Sequence, residues 1–223
     1  MNQSLSDRLE AVRGGVAEAT RAAGRSESPT LIVVTKFHPN RLIEDLAELG
    51  VTDVGENRHQ EAQLKAEQLS SLDLRWHFLG QIQTKKARQV ARYADVLHAV
   101  DRVKLVESLD TIERDLACFL QVNLTEDPAR GGVAPAELEA LAERTLESPR
   151  LTLLGVMAVA PLDEDPRAAF ARLRGYSERV QKLAPEASAI SAGMTHDYAE
   201  AIAEGATHLR IGTAITGNRP VTG

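Results

Sequence analysis

Apolar positions recur along this chain with two alternating periods. Leu5, Leu9, Val12 and Val16 fall on one face at helical spacing, which predicts an opening helix over 5–23 with Ser4 and Asp7 as a capping pair. Gly24 to Pro29 breaks that pattern. Leu31-Ile32-Val33-Val34-Thr35-Lys36 follows, an apolar run ended by a lysine and closed by Phe37-His38-Pro39, and it reads as a buried strand. Asn40 is then expected to cap a helix carrying Ile43, Leu46 and Leu49, with Gly50 as its stop.

This strand-then-helix unit repeats to the end of the chain. Further strands are predicted over 51–55, 75–80, 96–100, 118–123, 151–159, 188–192 and 207–211. Helices are predicted over 56–69 and 81–93, the second one basic. Asp101 is expected to cap a helix bearing Leu105, Leu109, Ile112 and Leu116, and Pro135 to start the next. Phe170, Leu173, Val180 and Leu183 mark a later helix. Eight strands alternating with helices predict an α/β fold, a single-domain (β/α)8 TIM barrel over 1–223 with an extra N-terminal helix. An open doubly wound sheet would usually place a G-x-G-x-x-G turn after the first strand, where this chain has Thr35-Lys36-Phe37-His38-Pro39.

Composition narrows the chemistry. The 223 residues are 43% hydrophobic and 26% charged, ordinary for a chain with a proper core. A net charge of −6 gives no general electrostatic case for nucleic acid or an anionic membrane, so a phosphate-bearing partner needs a local site. Cys118 is the single cysteine and sits in an apolar run, which reads as core filler in a reducing compartment. Met1-Asn2-Gln3-Ser4 carries no secretory pattern and no apolar stretch reaches membrane-spanning length, so the expected location is cytoplasmic. His38, His59, His196 and His208 show no paired spacing for a metal.

Of the six lysines, Lys36 alone follows an apolar strand. An amine at the C-terminal end of a barrel strand lies where such folds keep their ligands. Partial desolvation there disfavours its charged form and frees it as a nucleophile. Ser191-Ala192-Gly193-Met194-Thr195 leaves the seventh strand, with Thr195 as a natural helix cap, and Arg210-Ile211-Gly212-Thr213 leaves the eighth. Barrels often bind phosphate between those two loops, where glycine lets the backbone approach the anion. A lysine on strand one, a phosphate cup at strands seven and eight, and an inward Arg210 suit pyridoxal 5′-phosphate (PLP), held as a Schiff base on Lys36 with the arginine facing the pyridine nitrogen. A permanently charged guanidinium at that nitrogen keeps it unprotonated and weakens the electron sink.

The sequence resembles the pyridoxal phosphate homeostasis protein family nearly end to end. The resemblance runs through Val34-Thr35-Lys36 with Pro39, Gly55-Glu56-Asn57 with Gln60-Glu61, Trp76-His77-Phe78-Leu79-Gly80, Gln83 with Lys86, and His98-Ala99-Val100-Asp101-Arg102. It continues through Gln121-Val122-Asn123, Gly155-Val156-Met157 and the two loops above. Val54, Arg58, Gln81, Lys85 and Thr216 depart from the family pattern. The resemblance implies a fold-type-III barrel like the N-terminal domain of alanine racemase, without its C-terminal β-domain. It also implies vitamin B6 cofactor buffering or delivery to PLP-dependent apo-enzymes in place of robust turnover, with a weak racemase as the alternative. Beside Lys36 and Arg210, the expected cofactor contacts are Asn57, Met157, Ser191, Gly193, Met194, Thr195, Gly212 and Thr213. Lys85, Lys86, Arg88 and Arg92 form a basic helix face that reads as solvated surface, with a phosphorylated ligand or an acidic partner as the alternative.

Overall fold

The computed structural model describes residues 3–218. Eight parallel strands close a barrel in sequence order: β1 (Thr30–Val34), β2 (Asp53–Glu56), β3 (Arg75–Phe78), β4 (Val96–Val100), β5 (Leu116–Gln121), β6 (Leu151–Met157), β7 (Ala189–Ser191) and β8 (His208–Ile211). Each β-to-β passage carries a helix outside: α2 (Asn40–Glu48), α3 (His59–Gln68), α4 (Ala87–Val90), α5 (Val103–Leu109), α6 (Leu138–Leu146), α7 (Pro166–Gln181) and α8 (Tyr198–Ala203). The predicted opening helix is α1 (Leu5–Ala22), started by a complete capping box in which Ser4 and Asp7 exchange bonds of 3.1 Å. It packs across α8 and the short α9 (Thr213–Thr216) at the seam where β8 returns to β1.

Alternation along the strands divides the core in two. Val33, Val54 and Leu97 face outward and pack with helix residues such as Ile43, Leu46 and Leu105. Inside the barrel the apolar filling is small: Val96, Ala99, Phe119 and Met157 form their own cluster. Branched aliphatics usually fill such an interior. Here His77, His98, Ser191 and Arg210 are buried as well, and His98 and His208 lie against Phe119 with ring centroids 4.7 and 5.0 Å away. Cys118 is fully buried, and burial pushes its thiol up to about 12.

Several boundaries differ from the sequence expectation for local reasons. Pro39, not Asn40, precedes the first turn of α2, and the Asn40 amide instead donates to Gln68 on α3. The basic helix expected over 81–93 is broken: Thr84–Lys86 forms a 3-10 turn and only Ala87–Val90 is α-helical. Arg102, not Asp101, is the cap position of α5, and the helix stops at Leu109, so Leu116 opens β5 instead of continuing the face. Helix α6 begins at Leu138, three residues beyond Pro135, and Leu183 lies past the end of α7. In β6 the register shifts beside Gly155, whose φ is +151°, and a Cβ there would meet the Ala189 carbonyl oxygen at 1.9 Å. Only glycine serves at that bulge.

Candidate functional site

At the C-terminal end of the strands lies a cavity of about 370 Å³. Lys36, Asn57, Met194, Thr195, Arg210, Gly212 and Thr213 all line it, together with Leu79, Val159 and His196. Three residues expected here do not. Met157 is inside the barrel cluster, Gly193 sits behind the loop, and the Ser191 hydroxyl is buried between His98 and Arg210. Gly193 has a φ of +91°, and a Cβ on it would come within 2.8 Å of the Ala201 Cβ, so its part is to let the loop turn tightly over α8. Thr195 does not cap α8. Asp197 takes the cap position and turns its carboxylate back to accept the Met194 N–H at 2.6 Å, which orders the loop from within.

Strand β1 ends at Val34, so Lys36 lies on a turn and not on the strand. Phe37 follows with φ +69°, a left-handed conformation uncommon for a side chain of that size. Helix α3 and the end of β2 hold the turn in place. The Lys65 ammonium donates to the Thr35 carbonyl at 2.9 Å and to Glu56 and Glu61 carboxylates at 2.7 Å each. The Thr35 hydroxyl donates to Glu56, and the Phe37 N–H donates to Glu61 at 2.6 Å. Lys65 is 5% exposed and Glu56 1%. Burial pushes the Glu56 carboxyl above its ordinary range, against the pull of Lys65 and Thr35. Sequence reasoning missed this group because charged residues on a polar helix read as surface. The Glu61–Lys65 spacing of four was its only local signal.

Arg210 is 6% exposed. It donates to Ser191 at 2.5 Å and to the Ala158 carbonyl at 2.8 Å, while lining the cavity with Lys36. The Asn57 side-chain oxygen is buried with no hydrogen-bond partner. An amine, a guanidinium, an unpartnered amide oxygen and two glycine-bearing loops around one cavity fit an aldehyde-bearing aromatic phosphate. A larger cavity of about 510 Å³ shares Asn57 and is lined by Arg58, His59 and Lys86. The basic face is split between two clefts, since Arg88 and Arg92 open on the other side beside Glu113 and Arg114. Tyr93 and Tyr198 pack against His59 and Gly15, and Tyr176 under Arg179, away from the Lys36 cavity. Among the described residues no group of three or more His, Cys, Asp or Glu could hold a metal ion.

The profile described as the alanine racemase N-terminal domain matches residues 8–220. A pyridoxal phosphate homeostasis protein of Corynebacterium glutamicum is 40% identical over 205 residues, covering 87% of this chain and 92% of its own. That of Pseudomonas aeruginosa is 38% identical over 224 residues, covering 97% and 96%. The chain belongs to the pyridoxal phosphate homeostasis protein family. Among solved structures, PipY of Synechococcus elongatus with PLP bound shares 34% identity with a TM-score of 0.84, covering 96% of this chain and all of PipY. Alanine racemase of C. glutamicum superposes with a TM-score of 0.69 at 17% identity over 62% of its length, a likeness of fold alone. The barrel is thus shared with the racemase, and this chain brings Lys36, Arg210 and both loops to one cavity.

Buried imidazoles give the barrel a pH signature. Burial lowers His208 to about 4 and holds His98 well below its ordinary 6.5. The unfolded chain therefore binds protons that the folded one refuses between pH 6.5 and 4, so stability falls as pH falls through that window. Urea midpoints at pH 7, 5.5 and 4.5 should decline in that order, and a midpoint that holds constant down to pH 4.5 would contradict the burial of these rings.

Proposed function

We propose that this chain binds PLP reversibly and serves in cytoplasmic PLP homeostasis, buffering the cofactor and delivering it to PLP-dependent apo-enzymes. The observation that carries the reading is Lys36 and Arg210 on one cavity wall with the loops that follow β7 and β8. A relative 34% identical over nearly the whole chain was solved with PLP in it, which supports the same ligand here. When bound, PLP supplies an aldehyde for a Schiff base and an electron-withdrawing ring. The protein's own residues set what is done with them. Lys36 provides the amine, Arg210 places a fixed positive charge, and Thr195, Gly212 and Thr213 offer polar backbone for the phosphate. Asn57 offers an acceptor that has no protein partner. Among the described residues no helix is long and apolar enough to cross a membrane, which suits this location.

Borohydride reduction of the PLP-treated protein, followed by peptide mass analysis, tests the reading. One equivalent of pyridoxyl phosphate on the Lys36 peptide is the expected result. Ligand that binds only the native state also stabilises it, by about 2.7 kcal/mol at a concentration ~100-fold above its dissociation constant. The unfolding midpoint should therefore rise with PLP. Labels scattered over surface lysines, with no rise in midpoint, would sink the proposal.

A further inference from the structure

A line of polar side chains crosses the barrel interior, and cofactor contact does not account for it. Asp53 opens β2 and lines a cleft with Thr30 and Thr52 at the N-terminal end of the strands. Its Oδ1 lies 2.9 Å from His77 Nε2 on β3. His77 Nδ1 lies 2.9 Å from His98 Nε2 on β4, and His98 Nδ1 lies 2.9 Å from Ser191 Oγ on β7. The Arg210 Nη1 on β8 completes the line at 2.5 Å from the same hydroxyl. His77, His98 and Ser191 are each no more than 1% exposed.

Counting donors and acceptors leaves one proton arrangement. Arg210 only donates, so Ser191 Oγ accepts from it and has a hydrogen to place elsewhere. His98 Nδ1 is the neighbour that can take it, and it must then be bare. Burial keeps His98 neutral, so its proton sits on Nε2 and points to His77 Nδ1. That nitrogen is bare in turn, and the His77 Nε2–H donates to the Asp53 carboxylate, which only accepts. The reverse arrangement needs a doubly protonated His77 and leaves the Ser191 hydrogen without an acceptor. Every bond thus points from guanidinium to carboxylate, and bonds aligned in a chain polarise one another.

We propose that Asp53, His77, His98 and Ser191 form a proton-ordered relay of positioning residues, which fixes Arg210 at the cavity wall and joins its charge to a carboxylate at the opposite end of the barrel. What Arg210 meets in the cavity rests on the PLP reading; the relay itself belongs to the chain alone. A polar interior kept only for packing would need satisfied bonds but no common direction, and would not reach the cofactor's electronic state.

Two measurements test it. In 15N-histidine-labelled protein without PLP, long-range 1H–15N correlation at pH 7.5 should show two imidazoles protonated at Nε2 and bare at Nδ1. A nitrogen–nitrogen coupling across their mutual hydrogen bond would identify them as the His98–His77 pair without any substitution. A proton on Nδ1 of either ring overturns the relay. Secondly, Ser191→Ala cuts the line and Asp53→Asn removes its far charge. With trapping on Lys36 retained, both should shift the absorbance maximum of bound PLP, and Ser191→Ala should weaken PLP binding roughly tenfold, the scale of one bond to a charged group. An unmoved band in both variants overturns the inference. Failure of the wild type to be trapped on Lys36 overturns the PLP reading instead, and the tautomer measurement still decides the relay.

Discussion

Lys36→Ala is expected to abolish the borohydride-stable PLP label while leaving the barrel folded. The side chain is half-buried on the turn after β1, and its removal takes no strand pairing with it. A stability change on the order of 1 kcal/mol is the ordinary cost of such a substitution. No other lysine is placed to substitute. Lys65 lies behind the same turn, but its amine is already engaged with the Thr35 carbonyl, Glu56 and Glu61. Lys85, Lys86, Lys104 and Lys182 lie on outer helices and turns. Intact mass after reduction, with the urea midpoint as a control on folding, reads both halves of the prediction. A full equivalent of label remaining in the variant, on Lys65 or elsewhere, would show that the cavity does not depend on Lys36.

Lys65→Met should be the more damaging change to stability, at about 3–5 kcal/mol. A buried ion group loses most when one partner is removed, because the remaining charges stay desolvated and unpaired. Here two carboxylates and a backbone carbonyl would face one another with the cation gone. Glu56, at 1% exposure, has little water to turn to. Pairing Lys65→Met with Glu56→Gln removes one of the stranded charges, so the double variant should recover part of the loss. Urea unfolding of the wild type, the two single variants and the double variant measures this coupling. A loss below about 1 kcal/mol for Lys65→Met, the surface-pair value, would mean that the group is solvated and does not hold the Thr35–Phe37 turn.

The closed barrel was legible because its signal is carried by repetition. Val96 to Val100, apolar at every position but His98, is a strand over those same residues, whereas strands edged by polar residues shifted by one or two positions. The basic helix after β3 failed because Lys85 and Lys86 close a 3-10 turn, which residue type alone does not announce. The cavity was legible at Lys36 and Arg210, since each ends or interrupts an apolar run of the sequence. Ser191 was expected on a phosphate loop because it stands two residues before a glycine, whereas its hydroxyl lies off the cavity lining. Its actual partners, His98 and Arg210, stand 93 and 19 residues away in the chain. Lys65 was invisible for a similar reason: two of its three partners, Thr35 after β1 and Glu56 on β2, lie outside its own helix.

The cavity's lysine sits just past the first strand and its loops after the last two, and the barrel is sealed where β8 pairs with β1 through Thr30 and His208. The Arg8 guanidinium, near the start of the chain, donates to the Ile215 carbonyl at 2.7 Å across the same seam. In a nascent chain the cavity therefore stays open beside Lys36 until β8 has emerged and paired with β1, so the site cannot be assembled piecemeal from its early strands.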